Sequence, residues 1–81
     1  MTLDDALNEM TTLIRSVSPE AVLRTTRRGS DELAIRAYVP AEDEDAIREA
    51  TRPRSIELLT SEGLDVQILT YDITTSLPPE E

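Results

Sequence analysis

The side chains of this sequence best suited to bind a ligand are arginines and tyrosines. All 8 basic residues are arginine, and residues 21–39 hold four of them against two acidic residues. Arginine makes forked contacts with carboxylates and phosphates, and a tyrosine ring can stack on a nucleotide base. The predicted binding residues are Arg24, Arg28, Arg36, Tyr38, Leu69 and Tyr71. Leu69 is included as an aliphatic neighbour of the arginines and tyrosines. The alternative is a solvated sheet face on which arginine stems cover aliphatic side chains.

Missing residue types exclude several kinds of chemistry. The chain contains no cysteine and no histidine, which rules out disulfides, thiolate zinc sites, cysteine nucleophiles and histidine-based triads. Catalysis would have to use paired carboxylates, and none of the 17 acidic residues lies in a setting that suggests a raised pKa. We therefore expect no enzymatic activity, no cofactor and no metal site.

The acidic run Glu42, Asp43, Glu44 and Asp45 is the other concentration of charge. It lacks the glycine and the alternating ligands of a calcium loop. Acidic groups are instead favoured at the positive end of a helix dipole, and Glu44 lies four residues before Arg48, the favourable order for an ion pair. We interpret the run as a solvated helix start.

A length of 81 residues allows one domain with a thin core. The formal charge of −9 argues against binding duplex nucleic acid through a general basic surface. No apolar run approaches the roughly 18 residues that a membrane span needs, and the acidic first residues are unlike a signal peptide. The expected location is the cytoplasm, with no contact to membranes.

Helical periodicity predicts a first helix over residues 3–17. Its apolar stripe consists of Leu3, Ala6, Leu7, Met10, Leu13, Ile14 and Val17. Thr2 is expected to cap the helix together with Asp5 in a capping-box arrangement. Ser18 precedes Pro19 and is expected to end the helix.

Alternating apolar residues then predict a β-hairpin, with strands at 21–28 and 32–39. A two-residue loop would place Arg24 on the apolar side of the hairpin, whereas a three-residue loop pairs Leu23 with Ala37. Because a slip of one residue moves every side chain to the opposite face, we predict an odd-numbered loop.

Residues 41–62 are predicted to be helical, with a bend or break near Pro53. Ile56 and Leu59 are expected to anchor the second half of this segment on the core. Gly63 is a typical residue to follow a helix, since it tolerates a left-handed backbone.

A last strand over residues 64–73 completes the predicted fold. The prediction is a single α+β domain over residues 1–73, ordered α-β-β-α(α)-β, with helices on one face of a three-stranded mixed sheet. The last strand should run parallel to the second strand. Residues 74–81, which are polar and contain two prolines, are predicted to form a flexible tail.

The order of elements resembles that of the type II KH fold and of the BolA-like proteins. The stretch that matches the KH glycine loop is Thr51-Arg52-Pro53-Arg54, without glycine, and BolA-like proteins use histidine, which this chain lacks. The stretch Ile56-Glu57-Leu58-Leu59, followed by Glu62-Gly63-Leu64 and a strand, is similar to short stand-alone bacterial proteins of unknown function. These resemblances imply a fold and carry no activity.

Three functional hypotheses follow. The first is a non-catalytic protein-interaction module, a small adaptor or regulatory subunit that docks on a partner or forms a homodimer through its open sheet face or sheet edge. The second is a nucleotide or single-stranded nucleic-acid binder that uses the arginines and tyrosines. The third is an acidic mimic of nucleic acid that inhibits a basic partner by occupying its nucleic-acid groove.

Overall fold

Two helices and a three-stranded sheet make up the described part of the chain, residues 1–75 of a computed structural model. The elements are α1 (Leu3–Val17), β1 (Val22–Arg27), β2 (Glu32–Val39), α2 (Glu44–Glu57) and β3 (Asp65–Asp72). A 3-10 turn, Ala41–Asp43, precedes α2, and a π-helical turn, Leu58–Glu62, follows it. The order confirms the predicted α+β class with a mixed sheet.

The bounds and the cap of α1 agree with the sequence prediction. The Asp5 N–H donates to Thr2 Oγ1 at 3.2 Å, and the Thr2 N–H donates to Asp5 Oδ2 at 3.1 Å. These two bonds form a capping box, which satisfies amide groups that lack partners at a helix start.

Strands β1 and β2 form the predicted hairpin, with residues 29–31 in the loop. The Arg28 N–H donates to the Glu32 carbonyl at 3.1 Å across the loop, and Leu23 pairs with Ala37. The odd-numbered loop is thereby confirmed. It puts the apolar side chains of both strands on one face.

Strand β3 completes the sheet on the far side of β2. The two strands run parallel, as predicted, with Leu33 opposite Val66 and Ile35 opposite Ile68. The helical segment between them returns the chain to the end of the sheet from which β2 starts, as a parallel pair requires. The strand order is β1-β2-β3, so β1 and β3 are both edge strands.

Both helices pack on the same face of the sheet. One buried cluster joins residues of α1, the strands and the second helical segment, namely Leu3, Ala6, Met10, Ile14, Ala21, Leu33, Ile35, Ala37, Val39, Ile47, Leu58, Leu64 and Val66. The central strand β2 supplies four of these side chains, all pointing to the helices.

Of the bend or break predicted near Pro53, the break is wrong, because helix α2 continues through this residue. A proline inside a helix cannot donate to the carbonyl four residues earlier, here that of Glu49. Both residues are exposed, so the proline lies on the solvent side of the helix, where its ring meets no core side chain.

The unbroken helix also changes which side chains reach the core. Leu58 is fully buried, whereas Ile56 and Leu59 are 56% and 53% exposed. The prediction that Ile56 and Leu59 anchor this segment is therefore wrong. Leu58 lies about three helical turns after Ile47 and so continues the same buried stripe, which a break at Pro53 would have interrupted.

The chain reverses at both ends of β3. Gly63, before the strand, has a left-handed φ of 66°, as predicted for a residue that follows a helix. After the strand, Asp72 Oδ1 accepts hydrogen bonds from the N–H and the hydroxyl of Thr74. Of the predicted tail, residues 74–81, the part beyond Thr75 lies outside the described residues.

Candidate functional site

The predicted arginine and tyrosine surface lies on the sheet face opposite the helices, which we call the open face. Its members are Val22, Arg24, Thr26, Ala34, Arg36, Tyr38, Gln67, Leu69 and Tyr71. All but one of the predicted binding residues share this face. The exception is Arg28, which lies just beyond β1 beside the hairpin loop and is exposed.

Two half-buried arginines, Arg24 and Arg36, face each other across β1 and β2. Like charges placed directly opposite in a sheet repel each other. Arg24 Nη1 donates a hydrogen bond to the Leu23 carbonyl at 3.0 Å, which holds its side chain along the strand. The pair concentrates positive charge on one face of an acidic chain.

The two tyrosines of the open face differ in accessibility. Tyr38 and Tyr71 are neighbours on β2 and β3, and their rings stack with centroids 5.2 Å apart and planes inclined by 21°. Tyr38 is only 5% exposed, while Tyr71 is half-buried. Tyr38 is thus largely buried in the packed structure, and its predicted role in binding stays a prediction. Leu69, 37% exposed, remains accessible beside Tyr71.

The outer edge of β3 is a second candidate surface; the sequence predicts docking through a sheet edge but does not identify the strand that provides it. The Asp65 N–H donates to the carbonyl of Asp31, just before β2, at 2.8 Å, and the Ile73 N–H donates to the carbonyl of Val39, the last residue of β2, at 2.9 Å. Backbone groups alternate in direction along a strand, so the odd-numbered residues bond to β2. The N–H and C=O groups of Val66, Ile68 and Thr70 consequently point away from the sheet.

The sequence of β3 leaves this edge unprotected. The six residues from Val66 to Tyr71 include no charge, no proline and no glycine. Natural sheets protect an edge strand with lysine, proline, a bulge or a covering segment. Among residues 1–75, no backbone group from outside the sheet bonds to the outward-facing groups of Val66, Ile68 or Thr70. The edge is therefore able to pair with another strand.

A groove runs beside this edge, between α2 and β3. It has a volume of about 230 Å³ and is lined by Arg48, Thr51, Arg52, Ser55, Val66 and Ile68. We call it the α2–β3 groove. The two strand residues form an apolar floor, and the helix contributes two cations and two hydroxyl groups.

The two arginines of the groove differ in their partners. Arg48 Nη1 donates to Thr70 Oγ1 at 2.9 Å, and its Nη2 forms an ion pair with Asp45 in place of the expected pair with Glu44. Arg52 is exposed, and within residues 1–75 its side chain has no ion pair or hydrogen bond. The groove thus presents cationic groups directly beside the outer edge of β3.

The opposite flank of α2 is joined to α1. Arg54 Nη2 donates to Glu9 Oε1 at 3.0 Å, and Arg54 Nε also bonds to this carboxylate. The hydrogen bonding that Arg54 donates to the Glu9 carboxylate raises the pKa of Arg54 above its ordinary value. This two-point contact holds α2 in position, and with it the wall of the α2–β3 groove.

The acidic run lies where the sequence predicts a helix start. Glu42 and Asp43 belong to the 3-10 turn, and Glu44 and Asp45 open α2. In the described part of the chain, no group of His, Cys, Asp or Glu side chains is arranged to hold a metal ion. None of the helices there is long and apolar enough to cross a membrane.

The chain matches no protein-family model, and comparisons with curated proteins and with solved structures likewise found no match. The resemblance to the type II KH and BolA-like folds accordingly stays a prediction.

Proposed function

We propose that this protein is a non-catalytic interaction module that binds a protein partner by strand addition. The partner contributes an extended segment, which pairs with the outer edge of β3 and adds a fourth strand to the sheet. The observation that carries this proposal is the row of outward-facing backbone groups of Val66, Ile68 and Thr70.

Strand addition uses main-chain hydrogen bonds for affinity and pockets for alternate side chains for specificity. The outer edge of β3 supplies the main-chain hydrogen-bonding groups, and the α2–β3 groove supplies a pocket for side chains. Ile68 belongs to both, because its backbone faces outward while its side chain lies on the floor of the groove.

The occupant favoured at this edge is a different protein and not a second copy. Two copies that paired their β3 strands about a twofold axis would bring both α2 helices to the same side of the joined sheet. Arg48 and Arg52 of each copy would then approach those of the other copy, and like charges repel. A homodimer through the open face stays a prediction, and sedimentation at micromolar concentration tests it.

Hydrogen exchange and peptide titration test strand addition. In the protein alone, the amide hydrogens of Ile68 and Thr70 are expected to exchange much faster than those of Gln67 and Leu69, which bond to β2. The probe is the neutral peptide acetyl-Thr-Val-Gln-Val-Gln-Val-Thr-amide. Its binding should slow exchange at Ile68 and Thr70, since these groups gain partners.

A matched pair of N-methylated peptides provides the control. Methylating every second amide removes the donors that face β3 in one peptide and the donors that face solvent in the other. One of the two should lose binding while the other keeps it. Equal binding of both, or unchanged exchange at Ile68 and Thr70, would show that strand addition does not occur.

Nucleotide binding has less support from the geometry. Burial of Tyr38 leaves Tyr71 as the more accessible aromatic group of the open face, with Arg36 diagonal to it across β2 and β3. This hypothesis and the acidic-mimic hypothesis stay predictions. Tyrosine fluorescence during titration with a short oligonucleotide tests the former, and capture of a strongly basic partner tests the latter.

A further inference from the structure

We infer that the added strand is acidic, with two carboxylate side chains two residues apart that bind Arg48 and Arg52 in the α2–β3 groove. This inference rests on the proposed strand addition and names the chemistry of the partner. The partner is an extended segment of another protein, and its recognition pattern is acidic-any-acidic.

The spacing of the arginines agrees with this pattern. Arg48 and Arg52 are four residues apart on α2, so their Cβ atoms are about 5–6 Å from each other on one side of the helix. Alternate side chains of an extended strand are about 6.5–7 Å apart. Two such side chains of an added strand can therefore each meet one guanidinium group.

The direction of the side chains also agrees. Val66, Ile68 and Thr70 direct their side chains to the helix side of the sheet, as their core packing and the bond between Arg48 and Thr70 show. Residues opposite them on an added strand would point to the same side, into the α2–β3 groove. The intervening residues would point to the open face, beside the exposed Leu69.

Charge selects an acidic occupant over a neutral one. Arg52 lacks an ion pair among the described residues, and Arg48 is paired with the exposed Asp45. A partner carboxylate can form an ion pair with Arg52 without displacing another group. At Arg48 it must compete with Asp45 for the guanidinium group. Removing the Asp45 carboxylate should therefore tighten binding, which a purely steric groove would not show.

The test compares acetyl-Thr-Val-Glu-Val-Glu-Val-Thr-amide with the glutamine peptide described above. The glutamate peptide should bind about tenfold more tightly at low salt, because two exposed ion pairs form. Arg52→Gln should reduce the preference for the glutamate peptide about fivefold. Asp45→Asn should increase that preference. Arg15→Gln, which removes an exposed arginine of α1, is the matched control and should leave both affinities unchanged.

Each result has a distinct meaning. If both peptides protect Ile68 and Thr70 with equal affinity, strand addition stands and the acidic preference is wrong. If neither peptide protects these amides, strand addition itself is wrong. The inference is also overturned if Arg52→Gln keeps the full preference for the glutamate peptide. It is likewise overturned if a short oligonucleotide, or a second copy of the chain, binds this edge more tightly than the glutamate peptide does.

Discussion

Tyr38 of β2 stacks on Tyr71 of β3 across the parallel pair of strands, with ring centroids 5.2 Å apart. The contact joins the central strand to the strand whose outer edge we propose as the binding surface. Because one ring is almost completely buried and the other is half-buried, their contributions to stability should be unequal.

Tyr38→Ala should lower the free energy of unfolding by about 3 kcal/mol, as expected for loss of a buried aromatic side chain. Tyr71→Ala should cost about 1 kcal/mol, chiefly through loss of the stack. Urea denaturation monitored by circular dichroism measures both. Equal costs would mean that Tyr38 is as accessible as Tyr71.

Neighbouring leucines after α2 should respond very differently to truncation. Leu58 is fully buried and Leu59 is 53% exposed. Leu58→Ala should therefore cost about 3 kcal/mol, while Leu59→Ala should change stability by about 0.5 kcal/mol or less. Thermal and urea unfolding of the two variants provide the comparison, and the reverse order would indicate that the helix is broken at Pro53 after all.

The faces of the hairpin could be predicted from the sequence because only an odd-numbered loop puts Leu23 and Ala37 on the same apolar face. The cap of α1 was equally local, since Thr2 and Asp5 meet within one helical turn. The path of α2 could not be derived in this way. Proline disfavours a helix interior, and its tolerance here depends on the solvent exposure of Pro53.

The candidate site likewise contains one part that local sequence patterns predict and another that depends on tertiary structure. Alternation along the hairpin placed Arg24 and Arg36 together on the open face. The outer edge of β3 depends on strand order, however, because the apolar pattern of Val66 and Ile68 would be the same in a central strand. The position of Arg52 beside that edge likewise follows only from the packing of α2.

The two glycines of the chain should tolerate alanine to different extents. Gly63 has a φ of 66°, and a Cβ atom in this left-handed conformation costs about 1–2 kcal/mol. Gly29 has no positive φ, and a Cβ there would lie no closer than 3.9 Å to a neighbouring atom. Unfolding measurements should show a clear loss for Gly63→Ala and a change of about 0.5 kcal/mol or less for Gly29→Ala.

Stability should fall at acidic pH partly through Asp5. The hydrogen bond that its carboxylate accepts from the Thr2 N–H lowers the pKa of Asp5 below the ordinary 3.8. A lowered pKa in the folded state stabilises the protein fully above the unfolded value, and this contribution disappears as the pH falls through the folded value. Asp5→Asn should consequently be less stable than the native protein near neutral pH, and the difference should vanish at strongly acidic pH.

Thr2→Ala removes the capping hydroxyl, which also helps to lower the pKa of Asp5, but keeps the backbone hydrogen bond of Thr2 that lowers it most. The alanine variant keeps its N–H bond to the Asp5 carboxylate but loses the hydroxyl acceptor, so it should lose about 1 kcal/mol across most of the pH range. Unfolding free energies measured from neutral to strongly acidic pH distinguish the two variants. If the difference between Asp5→Asn and the native protein does not change with pH, the carboxylate of Asp5 contributes nothing through its charge, and the capping box acts through geometry alone.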